Sequence, residues 1–276
     1  MIATPIGNLG DLSERAIATL RAADVVACED TRRTGALMRH LGAAAKLVSI
    51  HQHQEARRAS SVRDLVGAGK SVVLVSDAGA PAVSDPGARV VAAVLEAGFA
   101  VEVIPGPSAV TAALAVSGLP ADRFAFVGFL PRKPGERAAL WDRVDALGWT
   151  VVALESPVRT PVALAELAER DPARTVVVCR ELTKLHEEVV RGPAIDVAAR
   201  IGQAPRGEVT LVVGPAPGGS ADAAEGALGA AMAAMLDAGL APSAAAELAA
   251  RLGIARKNAA YRAALASVDG GEPAGG

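Results

Sequence analysis

The chain has 276 residues, 51% of them hydrophobic, with 28 Lys and Arg against 30 Asp and Glu for a formal charge of −2. That length allows one large domain or two of middling size, and the apolar fraction excludes wholesale disorder. Aromatic residues at 3% argue against a base-stacking platform, and the near-neutral balance means that any polyanion partner must meet a local basic patch.

Short β-branched runs alternate with helical apolar spacing as far as residue 214. In chain order the pattern predicts a helix over residues 12–21, a strand over 25–28, a helix over 34–41, a strand over 47–50, a helix over 57–68, a strand over 72–76, a helix over 87–97 and a strand over 101–104. Apolar strands of four or five residues separated by helices point to a largely parallel sheet covered on both faces. A second series follows Gly118-Leu119-Pro120, with strands over 124–127, 151–154, 176–179 and 209–213 and helices over 136–147, 161–168 and 195–201. The expected fold class is therefore α/β, with two successive α/β domains at 1–117 and 118–215. A Gly- and Pro-rich linker over 216–224 leads to an Ala-rich helical extension over 225–268, and 269–276 reads as a disordered tail. In the extension Leu228, Met232, Met235 and Leu236 form one stripe, Gly239 ends it, Pro242 opens the next helix, and Arg256, Lys257 and Arg262 face outward from the third. Both a helix-turn-helix-like module and a structural cap or dimer contact fit this pattern.

Cys28 and Cys179 each close an apolar run and read as buried strand residues, with no disulfide framework. No secretory signal and no stretch of ~18 apolar residues is visible, so a soluble cytoplasmic protein is expected. His51 and His53 project to opposite sides of an extended segment and make no metal pair, and no metal is expected elsewhere.

Glycine, proline and charge gather at strand ends, where open α/β sheets hold ligands. The first loop, TPIGNLGD from Thr4, matches neither the GxGxxG nor the GxxxxGK[ST] spacing, so neither NAD nor ATP is favoured. The second, residues 76–87 (SDAGAPAVSDPG), is longer than a turn needs, and the third is Pro105-Gly106-Pro107-Ser108. Charged runs also follow strands, at Glu29-Asp30-Thr31-Arg32-Arg33, at 51–58, at Glu155-Ser156-Pro157-Val158-Arg159 and at 180–188 (RELTKLHEE). Three ligand-type loops in one half make a cleft for a small molecule the expectation.

Taken together, TPIGNLGDLS, EDTRRT, SDAGAPAVSDPG, PGPS, GFLPRK, ESPVR and RELTKLHEE, in that order, resemble the bacterial 16S rRNA cytidine 2′-O-methyltransferases, the RNA-modifying branch of the tetrapyrrole (corrin/porphyrin) methylase superfamily. The resemblance implies S-adenosylmethionine (SAM) bound in a cleft between two α/β domains, a homodimer, and a decoding-centre cytidine of 16S rRNA in the small ribosomal subunit as substrate. It implies donor-pocket roles for Pro5, Asp77, Ala78, Gly79, Val83 and Ser108, and an adenosine side made by Leu154, Leu182 and Gly207. Family members carry Thr at position 80 and His at 33 and 158, where this chain has Ala80, Arg33 and Val158, and only Met1-Ile2-Ala3 precede the first motif, a stub of a strand. For the chemistry, Asp30 or Glu187 is expected to accept the hydroxyl proton while Lys184 eases the developing alkoxide. The alternative is that both carboxylates only position Arg32, Arg33 or Arg180. Phosphate contacts are expected from Arg32, Arg33, Arg39, Arg57, Arg58, Arg132, Lys133 and Arg137, helped by Arg256, Lys257 and Arg262. A tetrapyrrole methyltransferase and a non-catalytic ribosome-binding module are the competing expectations.

Overall fold

The computed structural model describes residues 1–276 apart from 51–54, 202–206, 217–220, 253, 256 and 270–276. His51, His53 and Arg256 thus lie outside the described residues, as do 217–220 of the expected linker and 270–276 of the expected tail; residues 221–224, expected in the linker, instead begin a helix. Two compact units result: Met1–Leu130 with Val151–Val213, and Pro131–Thr150 with Gly214–Gly276. The division drawn from sequence at residue 117 runs inside the first unit, which holds both sheets.

In the first unit, helix α1 (Glu14–Ala22) precedes strand β1 (Val25–Cys28), α2 (Thr31–His40), β2 (Lys46–Ser49), α3 (Glu55–Gly67), β3 (Val72–Leu74), α4 (Ala88–Glu96) and α5 (Ala109–Ser117). The three strands pair in parallel in the order β2-β1-β3. Side chains alternate across this sheet with period two. Val26 and Cys28 join Leu20, Met38, Val73 and Val75 on one face, while Ala27 and Leu74 join Ile50, Val62, Val90 and Val94 on the other. Strand β1 is buried on both faces, which is why it reads as an unbroken apolar run, whereas β2 is exposed or half-buried along its length. The run at 101–104 forms no strand; only Ile104 pairs, bridging in parallel to Ile2, whose N–H donates to Leu74 O at 3.0 Å. The short N-terminal stub thereby extends the sheet beyond β3.

The second sheet contains β4 (Phe124–Phe129), β5 (Thr150–Glu155), β6 (Thr175–Arg180), β7 (Glu188–Pro193) and β8 (Val209–Val213), in the order β4-β5-β8-β6-β7. Its pairs β5–β8, β8–β6 and β6–β7 are antiparallel, so the largely parallel pairing expected from the strand pattern describes the first sheet and not this one. Helices α7 (Thr160–Arg170) and α8 (Ala194–Ile201) accompany it. Ala113 and Leu114 of α5 pack with Val152, Val177 and Val212, so the helix after the first series lies on the second sheet and joins the two layers.

The second unit is helical: α6 (Pro134–Asp145), α9 (Ala221–Asp237), α10 (Pro242–Arg251) and α11 (Lys257–Asp269). Met232 packs among Ala245, Ala246, Ala249, Ala260 and Ala264, small residues that let the helix axes approach closely. Gly239, at φ +88°, turns the chain between α9 and α10, and Pro242 stands in the first turn of α10, where its missing N–H costs no helical bond. Among the described residues no helix is long and apolar enough to cross a membrane.

Candidate active site

The strand ends of the first sheet are tied to one another by side chains. Asp30 caps α2 by accepting from the Arg32 N–H at 2.8 Å, and its carboxylate also takes the Arg32 guanidinium at 2.8 and 3.1 Å. Those bonds from Arg32 hold the Asp30 carboxyl well below the usual carboxylate range. The Asp30 N–H donates to Asp77 Oδ1 at 3.0 Å, and Arg33 Nε stands 3.7 Å from Asp77 Oδ2, so the loops after β1 and β3 share one anchor. The long loop after β3 is pinned to the first loop by Thr4 N–H to Gly79 O at 2.9 Å and Gly79 N–H to Thr4 O at 3.0 Å. Besides Gly79, two residues with side chains, Ala82 and Ser84, hold φ of +70° and +61° in this loop. Each such residue costs about 1–2 kcal/mol against an extended or helical conformation, a cost typical of segments shaped for a ligand.

Opposite this loop stand the ends of β5 and β8, whose register puts Leu154 beside Thr210 and Glu155 beside Val209. Together the two walls enclose a cavity of about 310 Å³, wholly within the first unit and within the size range of small-molecule sites. Asp77–Ala80, Val83–Asp85 and Ser108–Val110 line one side; Phe126 and Phe129 of β4, residues 154–157 and residues 207–210 line the other. Glu155 is the most enclosed of these groups, with a side chain 0% exposed. Its Oε1 accepts from the Ser156 N–H at 2.6 Å and meets Arg159 Nη2 at 2.5 Å, whereas its Oε2 is buried without a donor. A buried acceptor left unsatisfied costs on the order of 1–3 kcal/mol, a cost that this sealed position inside the wall carries.

The connection from β6 to β7 carries residues 181–187 and is bonded largely to itself. Lys184 Nζ donates to Glu181 Oε1 at 2.8 Å and to Glu208 Oε2 at 3.0 Å, and the Glu208 N–H donates to Glu181 Oε1 at 3.0 Å. Burial works to lower the Lys184 ammonium, but the two carboxylates outweigh it and raise it above its ordinary value. Glu187 Oε2 accepts from the Thr183 N–H at 2.6 Å. Gly7 sits close against this loop, its α-carbon position leaving no room for a side chain beside Lys184 and the Leu182 carbonyl.

Of the residues singled out from sequence, Asp77, Ala78, Gly79, Val83, Ser108, Leu154 and Gly207 line the cavity. Pro5 lines an adjoining recess with Leu9 and His40, which shares Arg33 and Asp77 with the main cavity. Leu182 is buried in the core with Val177 and Cys179 instead of lining the cavity. Asp30, Lys184 and Glu187 are not among the lining residues either. Arg32, Arg33, Arg39, Arg57, Arg132 and Lys133 are exposed, and Arg58 is half-buried. Arg137 requires a correction: it is 5% exposed, and its Nη1 donates to the carbonyls of Pro131 and Arg132 at 2.8 Å, so it fixes a turn and is shut off from phosphate. Lys257 and Arg262 are exposed on α11, Lys257 being paired with Glu247. Sequence reasoning passed over Asp85, Glu155, Phe126 and Phe129 as site residues. Asp85 stands inside the glycine-rich loop and Glu155 at the head of a charged run already singled out, but nothing in the sequence shows which charges turn inward. Among the described residues no group of three His, Cys, Asp or Glu could hold a metal ion.

Comparison with known proteins gives a consistent picture. Residues 1–198 match the family model for tetrapyrrole (corrin/porphyrin) methylases. The chain is 46% identical over 213 residues to a ribosomal RNA small subunit methyltransferase I of Mycobacterium tuberculosis, covering 76% of this chain and 75% of that protein. To the protein of the same name from Neisseria meningitidis serogroup B it is 41% identical over 215 residues, covering 77% and 74%. Among solved structures, a uroporphyrin-III C-methyltransferase from Thermus thermophilus superposes with a TM-score of 0.52 at 24% identity, over 77% of this chain and 92% of that one. A diphthine synthase superposes with a TM-score of 0.62 at 16% identity, over 77% and 88%. These two likenesses speak to the fold alone.

Proposed function

The chain belongs to the tetrapyrrole (corrin/porphyrin) methylase family, and from that premise we propose that it moves a methyl group from SAM to the ribose 2′-hydroxyl of a cytidine in 16S rRNA. It is a SAM-dependent methyltransferase, and what supports the small-subunit rRNA as its substrate is the 46% identity over 213 residues to a relative so named. We take it to act as a cytoplasmic homodimer on rRNA within the small subunit.

The cavity fits the donor by its chemistry: small residues at Ala78, Gly79 and Ala80 that open the backbone, carboxylates at Asp77 and Asp85 for a positively charged part, and two Phe side chains for an apolar or aromatic part. When bound, SAM supplies a methyl group made electrophilic by a positively charged sulfur. The chain's own residues hold the reacting atoms. Positioning of carbon and oxygen for in-line displacement can account for many powers of ten in rate and needs no metal. The loop after β3 and the ends of β5 and β8 set the donor's place, and Phe126 and Phe129 exclude water from the apolar side. The hydroxyl proton passes to a carboxylate that lines the cavity, a position Asp77 holds and Asp30 and Glu187 do not. Asp30 and Glu187 act as positioning residues, one fixing Arg32 and the start of α2, the other fixing the Thr183 backbone. Lys184 clamps Glu181 to Glu208 behind the cavity wall. Arg32, Arg33, Arg39, Arg57, Arg58, Arg132 and Lys133 present charge to phosphate.

The test is transfer of labelled methyl from SAM to small subunits that lack the modification, followed by nuclease digestion and mass analysis. One 2′-O-methylcytidine per subunit is the expected product. Label on a base, or label taken up by a corrinoid intermediate and not by rRNA, would overturn the assignment.

A further inference from the structure

Among the described residues four carboxylates line the cavity, and three of them meet a cation. Asp77 faces Arg33 at 3.7 Å, Glu155 faces Arg159 at 2.5 Å and Glu208 faces Lys184 at 3.0 Å. Asp85 has none. It is half-buried in the loop after β3, and around it stand Glu29 from the end of β1, Asp77 from its own loop, and the Ser76 hydroxyl. Burial first, then the charges of Glu29 and Asp77, push its carboxyl up to about 6, and the hydrogen bond with Ser76 offsets only part of this. An ionised carboxylate so placed is short of solvation and is stabilised by any positive charge that enters the cavity. SAM carries such a charge on sulfur. On transfer the carbon–sulfur bond breaks with its electron pair left on sulfur, a carbon–oxygen bond forms, and the hydroxyl proton leaves, so the remaining thioether is neutral at that atom.

We propose that Asp85 is the counter-charge for the donor's sulfonium, and that through it the cavity favours the cationic donor over its neutral thioether product. The proposal rests on the reading of this cavity as the donor site. Asp85 is then a residue of donor selectivity and product release: attraction ends in the same step that spends the methyl group. Linkage fixes the sign of the pH effect. A cation favours the ionised carboxylate, so donor affinity falls as acid protonates Asp85, and donor binding near pH 6 releases protons. If the bound carboxyl returns to its ordinary 3.8, affinity drops about fourfold between pH 7.5 and 5.5.

Isothermal titration with SAM and with S-adenosylhomocysteine, in two buffers of different ionisation enthalpy, tests this without turnover. Wild-type protein should lose about fourfold in SAM affinity at pH 5.5, with proton release, while the thioether affinity stays within twofold. Asp85→Asn should bind SAM on the order of a hundredfold more weakly at pH 7.5, the ratio that a return from about 6 to 3.8 requires, keep its affinity for the thioether and lose the pH dependence. Equal weakening of both ligands, or a pH dependence that survives in Asp85→Asn, would overturn the proposal. Ala80→Trp, which fills the cavity, should abolish binding of both ligands; Val83→Trp serves the same purpose if that variant does not fold. Both ligands binding a folded, filled variant as they bind wild type would instead overturn the reading of the cavity as the donor site.

Discussion

Replacing Glu155 by alanine is expected to lower the unfolding free energy by about 2–3 kcal/mol. The carboxylate is fully enclosed at the end of β5 and meets the Arg159 guanidinium, whose side chain is 30% exposed. Removing one member of a buried pair leaves the other charge short of partners, which costs about 3–5 kcal/mol when both are fully buried; the partial exposure of Arg159 moves the figure toward the lower end. Among the described residues Arg159 would keep the Ser156 hydroxyl at 3.2 Å and the Leu130 carbonyl at 3.4 Å, both neutral partners. The Ser156 N–H would also lose its acceptor. Glu155→Gln keeps the shape and one acceptor and should lose about half as much. Urea unfolding at neutral pH measures both, with an unchanged m-value showing that the denatured state is not the cause. A loss under about 0.5 kcal/mol for the alanine variant would mean that the pair contributes nothing net.

Gly207→Ala should weaken SAM binding at least about tenfold, which corresponds to 1.4 kcal/mol. Gly207 sits at φ +87° and directly against the Glu181 side chain, so an added methyl has no room. Glu181 cannot step aside cheaply, because its Oε1 holds both the Lys184 ammonium and the Glu208 N–H. The strain therefore passes into residues 207–210, which form a wall of the cavity. Gly69→Ala is the matched control. It has φ +76° with nothing within 4 Å, so it carries the same left-handed cost of about 1–2 kcal/mol and no collision. Titration of both variants separates the two effects. If Gly207→Ala and Gly69→Ala lose stability alike and keep wild-type SAM affinity, the wall does not depend on that close approach.

The parallel sheet was legible because its chemistry is local: four-residue apolar strands, helices between them, and glycine-rich loops after them. The antiparallel order of the second sheet was not, since a strand such as β6 is buried on both sides and looks the same from either neighbour's direction. Strand β7 escaped because Glu188, Arg191, Gly192 and Pro193 hide its two valines. Helix α5, with the sequence AVTAALAVS, is apolar all round and has no stripe to betray its period. The run at 101–104 shows the reverse error: good strand residues with a single bridge, Ile104 to Ile2, do not make a strand even with the Glu102 carbonyl accepting from the Met1 ammonium at 2.6 Å. At the site, the loops that carry small residues were found from composition, as only such residues let a backbone line a cavity closely. Glu155, Asp85 and Arg137 needed coordinates. Whether a charge is buried, and which partner meets it, depends on residues distant in sequence, so Glu155 read as one more strand-end charge and Arg137 as one more phosphate contact.

The ion pairs at the basic segments bear on how rRNA binding responds to salt. Arg32 already holds Asp30 at 2.8 Å, Arg33 stands 3.7 Å from Asp77, and Lys133 holds Glu136 at 3.0 Å. A phosphate that takes one of these cations displaces a tethered anion of the protein and not a mobile chloride. Each phosphate neutralised still sheds a condensed cation into bulk, but the freed Asp or Glu stays nearby and repels the nucleic acid. A plot of log K against log salt should therefore give a slope shallower than the about −0.7 to −0.9 per contact expected for unencumbered cations. Asp30→Asn, by untethering Arg32, should steepen it.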